Sequence, residues 1–287
     1  MKLGRAEPTA KTYVMYVRNL GKFADLNDPE EIKGVIATHY KVNSTKRSAC
    51  CSYDAYLKFM GGTWEKPRYI PEHKLPFIPT EKELQLAINT GHRETFVYVR
   101  FLYETGARKN EAERLEWTDL DPERNNVTVK ASKKCNSRIL PITKELMDLL
   151  FSLPKTENKK TVFTKKATNT RSSAFRQRLK RLAKTHNNSR FPKIHLHTFR
   201  HCKALREYHK TRDILQAMYV LGHKKIDTTY IYLRMYKQIY KPQQPNQFIT
   251  KRPNTEEEED DLINSGWEFM YLNPRTKLGV FRKPKLS

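Results

Sequence analysis

The chain has 287 residues, a length that suits roughly two domains, each with its own core. Lysine and arginine number 55 against 31 aspartates and glutamates, and the net charge of +24 points to a polyanion, with nucleic acid ahead of a membrane surface. No apolar run approaches a spanning length, and the opening MKLGRAEPTA lacks a signal-peptide core. Cys50, Cys51, Cys135 and Cys202 form no CxxC pair, which sets aside a zinc ribbon or a disulfide framework and leaves reduced cysteines in an intracellular protein as the expectation.

Residues 8–60 read as a small basic helical unit. Tyr13, Tyr16, Leu20 and Phe23 recur at helical spacing, Pro29 opens a second helix, and Asn43 or Ser44 can cap a third that stops at Gly61-Gly62. The stretch from Gly61 to Pro79 is proline-rich and aperiodic, so it reads as a linker. Thr80-Glu81-Lys82-Glu83 is a capping box, and a second domain is expected to start there. A helix follows at 93–104, closed by Gly106. Val127-Thr128-Val129 and Ile139-Leu140-Pro141 flank a polar basic turn and predict a hairpin. Residues 174–185 form a helix carrying Arg176, Arg178, Lys180, Arg181 and Lys184; charge of one sign suits a face that tracks phosphates. Helices are expected from Thr198 to about Lys210, from Arg212 to Leu221, and from an Asp227 cap through Tyr240. KPQQPNQ reads as a second linker. The acidic run Glu256 to Asp261, with Asn254 or Thr255 as its cap, predicts a helix. Trp267 to Tyr271 and Val280-Phe281 predict a hairpin around Asn273-Pro274. The expected fold is mainly α with a small β-sheet.

Chemistry gathers in the middle of the chain. Arg108 follows a helix-ending glycine and precedes Asn110-Glu111-Ala112, so its guanidinium sits near free helix amides where a phosphate can bind, with Glu111 three residues on to orient it. His197 and Arg200 share a helix face and can move a proton and hold an oxyanion. His195, His197 and His201 offer a rival metal-binding reading, which ranks low because Arg200 sits among them and acidic ligands are missing locally. His223 stands at the mouth of a loop, and Tyr232 lies nine residues beyond it. Tyr232, Tyr236 and Tyr240 recur every four residues, and Tyr230 is near, so spacing alone leaves the choice among these tyrosines open.

TGARKNEAERLEWTDLD, HTFRH and LGHKKIDTTYIY together resemble the catalytic domain of the tyrosine recombinases, the phage-integrase family, over roughly residues 78–240. The resemblance implies a helical core-binding domain at 1–62, a linker at 63–79, a catalytic domain at 80–240 and a tail at 241–287. It also implies a catalytic set of Arg108, a hairpin lysine (Lys133, with Lys134 as runner-up), His197, Arg200, His223 and the nucleophile Tyr232. In that family the tyrosine attacks a DNA phosphodiester to give a 3′-phosphotyrosine and a free 5′-hydroxyl, and neither ATP nor a metal is required. Arg108 and Arg200 would neutralise the phosphate oxygens, Lys133 would protonate the leaving oxygen, His197 would act in proton transfer at the tyrosine, and His223 would donate a hydrogen bond. Four protomers on two DNA duplexes are implied, with the two domains clamping each duplex, and hence a cytoplasmic, nucleoid-associated protein. Two departures stand out: Lys109-Asn110 follows the first arginine where the family has an apolar residue, and the tail is acidic and long. The competing functions are a type IB topoisomerase, which uses nearly the same residues, and a non-catalytic DNA-binding regulator on an integrase scaffold.

Overall fold

A computed structural model describes residues 6–72, 75–131, 135–155, 160–164, 170–239 and 248–284. The chain divides into two compact units between residues 74 and 75.

The first unit is built from α1 (Glu7–Leu20), α2 (Pro29–His39) and α3 (Asn43–Met60). Leu20, Ile32, Ile36, Ala49, Cys50, Tyr53 and Leu57 form its core. The Asp28 carboxylate caps α2 by accepting from the amides of Glu30 and Glu31. Gly61 ends α3 in the left-handed region at φ 82°, where a Cβ is disfavoured. The expected cap of α3 is different in the structure. Val42 occupies the cap position without a side-chain bond, and Asn43 instead donates across to the Ile70 carbonyl at 3.1 Å.

The second unit opens with α4 (Glu81–Ile88), whose Thr80–Glu83 capping box has both of its bonds, at 2.8 and 3.3 Å. Next come α5 (Arg93–Thr105) and the single turn α6 (Lys109–Ala112). Strands β1 (Leu120–Asp121), β2 (Asn126–Val129) and β3 (Arg138–Pro141) form an antiparallel sheet in sequence order, with Val127 opposite Leu140. Helices α7 (Lys144–Phe151) and α8 (Thr170–Thr185) follow. Phe175 and Leu179, four apart, face the core from α8, while Arg176, Lys180, Arg181 and Lys184 stay exposed.

Three helices then carry the candidate chemistry: α9 (Thr198–Thr211), α10 (Ile214–Leu221) and α11 (Asp227–Ile239). The α9–α10 junction differs from the expectation. Arg212 does not start α10 but ends α9 in the left-handed region at φ 57°, and the Asp213 carboxylate then caps α10. Asp227 is the first residue of α11. One core of apolar residues from α4, α5, the sheet, α7, α8 and α9 holds this unit together, and a smaller cluster of Ala204, Leu205, Leu221, Tyr232 and Met235 joins α9, α10 and α11.

The tail holds β4 (Phe248–Lys251), α12 (Glu256–Asn264), β5 (Glu268–Leu272) and β6 (Gly279–Pro284). Its sheet runs β4-β6-β5, all antiparallel. Thr255 caps the acidic helix by accepting from the Glu258 amide. Strand β4 is an addition to the expected helix and hairpin.

Candidate active site

The site forms where two glycine-ended helices meet. Gly106 ends α5 at φ 64° and Gly222 ends α10 at φ 67°, both conformations that favour glycine. A Cβ on Gly222 would stand 2.7 Å from the Asn136 carbonyl oxygen. That close approach is bonded, since the Asn136 amide donates to the Gly222 carbonyl at 3.0 Å, and Cys135 and His223 form an antiparallel bridge. The start of β3 is thereby tied to the loop carrying His223.

Glu111 organises the arginines. Its carboxylate accepts from the Arg108 amide at 3.0 Å, from the Arg108 guanidinium at 3.1 Å and from Arg138 at 2.9 Å. Burial works to raise the Glu111 carboxyl, but Arg138, the Arg108 amide and Arg200 together hold it below its ordinary value, so it stays ionised. Arg138 is itself buried and donates to the Val220 carbonyl at 2.7 Å. Arg108 keeps one side open, with 28% of its side chain exposed, and its guanidinium also contacts the Cys135 sulfur.

Arg200 is almost wholly enclosed, with 1% exposure. It donates to the Gly106 carbonyl at 2.8 Å and to the Leu221 carbonyl at 2.5 Å, so one guanidinium from α9 fixes the ends of α5 and α10. Burial first, then Arg108 and Arg138, lower its pKa to about 10, which leaves it charged at neutral pH.

The histidines differ in depth. His223 is buried, and its Nδ1 lies 2.9 Å from Thr229 Oγ1, which leaves Nε2 for another partner. His201 is half-buried and His197 is exposed at the start of α9; their rings meet edge to face at 4.7 Å. Desolvation first, then the surrounding arginines and histidines, lowers the three imidazoles to about 4 for His197 and about 3 for His201 and His223, so all three are neutral at pH 7. His195 turns back on its own loop, with Nδ1 2.6 Å from Thr198 Oγ1. Among the described residues no group of three or more histidines, cysteines or carboxylates is arranged to hold a metal ion.

The tyrosines separate clearly. Tyr232 is 3% exposed, and its hydroxyl lies 3.0 Å from His201 Nδ1. Burial lifts its phenol to about 12 against the opposing pull of Arg200 and Arg108. Tyr230 is 49% exposed, and Tyr236 packs edge-on against Tyr208. Tyr240, Lys133 and Lys134 lie outside the described residues. Of the residues singled out in the sequence, the structure therefore brings Arg108, Arg200, His197, His223 and Tyr232 to one place. Sequence reasoning gave no role to Arg138, Thr229 or Cys135, and read His201 only as part of a ligand-like cluster. Arg138 lies at the edge of the predicted hairpin, and nothing local announces that its charge is buried.

A mostly helical frame with a three-stranded sheet gathers two arginines and three histidines in one site with a buried tyrosine, a set of groups suited to phosphoryl transfer. The model of the phage integrase family matches residues 80–238, more than half of the chain, and the chain belongs to that family. Among curated proteins it is similar to the tyrosine recombinase XerA of Pyrococcus furiosus, 27% identical over 190 residues that span 63% of this chain and 66% of that one. It is also similar to XerA of Thermococcus kodakarensis, 24% identical over 81% of this chain and 86% of that one. Among solved structures the fold is similar to the Tn1549 transposon integrase in complex with transposon right end DNA. The TM-score is 0.62 at 16% identity, covering 83% of this chain and 96% of that one. No described helix is long and apolar enough to cross a membrane.

Proposed function

We propose that the chain is a site-specific DNA recombinase or integrase that cleaves and rejoins strands through a 3′-phosphotyrosine. The observation that carries this reading is the Tyr232 hydroxyl held beside Arg200, Arg108 and an imidazole in one desolvated site. DNA is the substrate, which suits the +24 net charge, the exposed cations of α8 and membership of a family whose named relatives are tyrosine recombinases.

The scissile phosphate sits against Arg108 and Arg200, whose charges stabilise the oxygens as the pentacovalent transition state gathers negative charge. Glu111 keeps the Arg108 guanidinium aimed, and the two carbonyl bonds of Arg200 fix its plane. His197, open to solvent, and His223, held through Nδ1 by Thr229, add hydrogen bonds to the phosphate from their free nitrogens. Tyr232 attacks phosphorus, its proton leaves to an imidazole of α9, and the 5′ oxygen departs with a proton from Lys133. The covalent bond stores the phosphodiester energy, so rejoining needs no nucleotide, and the side-chain cations supply the charge a metal would otherwise provide. The unit before residue 63 serves as the core-binding domain, residues 80–240 as the catalytic domain, and the tail from 241 in assembly. Four protomers act on two duplexes, which places the protein with the nucleoid.

The test uses two duplexes carrying sites from the DNA flanking its own coding sequence, in excess chelator and without nucleotide. Exchanged products support the reading. Relaxation of supercoils without exchange would favour a topoisomerase, and binding with no covalent product a regulator.

A further inference from the structure

The Tyr232 hydroxyl has its hydrogen bond with His201, not with the histidine of the His197–Arg200 pair. His201 Nδ1 stands 3.0 Å from Tyr232 Oη, and the two ring centroids are 5.8 Å apart. We propose that His201 is the general base that takes the proton of Tyr232 during cleavage and returns it during rejoining; the assignment rests on the recombinase reading above. His197, one turn earlier on α9, touches His201 edge-on and faces water, a placement suited to a phosphate arriving from solvent.

The groups facing His201 are His197 and Arg200 on α9, His195 in the loop before it, and Tyr232 on α11. Burial, then His197, His195 and Arg200, keep His201 neutral down to about pH 3, so in the resting protein its imidazole has a free lone pair for the hydroxyl hydrogen but is a weak base. With Tyr232 near 12, the proton stays on the phenol in the resting protein. It moves only as the bond to phosphorus forms and the phenol oxygen loses its basicity. The anionic phosphate then seated by Arg108 and Arg200 raises the proton affinity of the nearby imidazole.

The step balances. The Oη–H bond breaks as Oη–P forms, and the proton passes to His201 Nδ1. The P–O5′ bond breaks, and the 5′ oxygen takes its proton from Lys133. In rejoining, the 5′-hydroxyl attacks phosphorus and returns its proton to Lys133, Oη–P breaks, and the His201 imidazolium gives its proton back to Oη. Base catalysis requires the neutral tautomer with hydrogen on Nε2 and the Nδ1 lone pair facing the hydroxyl.

The test is single-turnover cleavage by the full chain on a nicked suicide duplex from the DNA flanking its own coding sequence. His201→Ala is expected to form the covalent adduct roughly a hundredfold more slowly, while binding the duplex within about twofold of the unmodified chain. Added imidazole is expected to restore its rate. His201→Asn keeps a hydrogen-bonding partner for the hydroxyl but no basic nitrogen, and should stay as slow as His201→Ala. A duplex with sulfur at the bridging 5′ position releases a thiolate that needs no proton, so it should rescue neither variant. Normal rates in His201→Ala, full activity in His201→Asn, or recovery on the sulfur-bridged duplex would each overturn the assignment. Nitrogen NMR of the DNA-free protein gives a second readout. The hydrogen is expected on His201 Nε2, with an Nδ1 resonance that moves in Tyr232→Phe; a hydrogen on Nδ1 contradicts the proposal. Absence of any adduct with the unmodified chain defeats the recombinase reading and this assignment together, whereas an adduct that is indifferent to His201 defeats the assignment alone.

Discussion

His223 and His201 are held neutral by burial and by the positive charges around them, and this gives the second unit a distinct response to acid. An imidazole with an ordinary value of 6.5 binds its proton readily in the unfolded chain, while in the folded chain these two resist it down to about pH 3. Between those values the unfolded state holds more protons, so stability falls as pH drops. At pH 5 the loss reaches at most about 2 kcal/mol for each of the two, and less for His197, whose exposure to water screens it. Glu111 acts in the same direction, because its lowered carboxyl contributes stability above its unfolded value and loses it as acid protonates it. The melting temperature is therefore expected to fall steadily from pH 7 to pH 5 and to fall less in His223→Asn; a flat profile over that range would refute the account of these histidines. At this scale the sequence was readable where side chains act through short, ordered motifs: Arg108, Glu111, His197, Arg200 and His223 carry their spacing with them, whereas Tyr232 was singled out from its neighbours only by the family resemblance. Arg138 and Thr229 were not readable, because their roles come from a buried bond to Glu111 and a bond to His223 that only the folded chain brings about.

At the scale of elements, the turn at Gly222 links three of them: the end of α10, the start of β3 and the loop that leads to α11. Gly222→Ala meets both a left-handed φ of 67° and the Asn136 oxygen 2.7 Å from the new Cβ. Gly266→Ala meets only a φ of 75°, with nothing within 4 Å. Gly266→Ala is expected to cost about 1 kcal/mol by urea unfolding, and Gly222→Ala distinctly more, about 2–3 kcal/mol. Gly222→Ala should also slow cleavage, because the backbone shift moves His223. Equal effects of the two substitutions would mean that the contact between β3 and the loop does not constrain the site. Periodicity and capping chemistry made most of these elements readable, as the Thr80–Glu83 box and the glycine stops of α3, α5 and α10 illustrate. Helix α7 and strand β4 escaped, the first as eight residues after a hairpin and the second as four residues whose partner, β6, lies about thirty positions on. Strand pairing over such a separation is set by tertiary contact rather than local pattern. The Asn43 cap failed for a related reason, since a distant carbonyl at Ile70 draws its side chain.

For the whole molecule, charge, family membership and the gathered site converge on one chemistry, with Tyr232 as its proposed centre. Tyr230, Tyr232 and Tyr236 of α11 were candidates in the sequence, together with Tyr240, which lies outside the described residues. The fold buries one of them with its hydroxyl on an imidazole and leaves Tyr230 exposed and Tyr236 among aromatic neighbours. The most direct measurement is a denaturing gel of the full chain incubated with nicked suicide duplexes from the DNA flanking its own coding sequence, comparing the unmodified protein with Tyr232→Phe, Tyr230→Phe and Tyr236→Phe. The expected result is a covalent protein–DNA adduct in all but Tyr232→Phe, which should still bind the duplex because no charge has been removed. An adduct that survives in Tyr232→Phe and disappears in either of the other two would contradict the account.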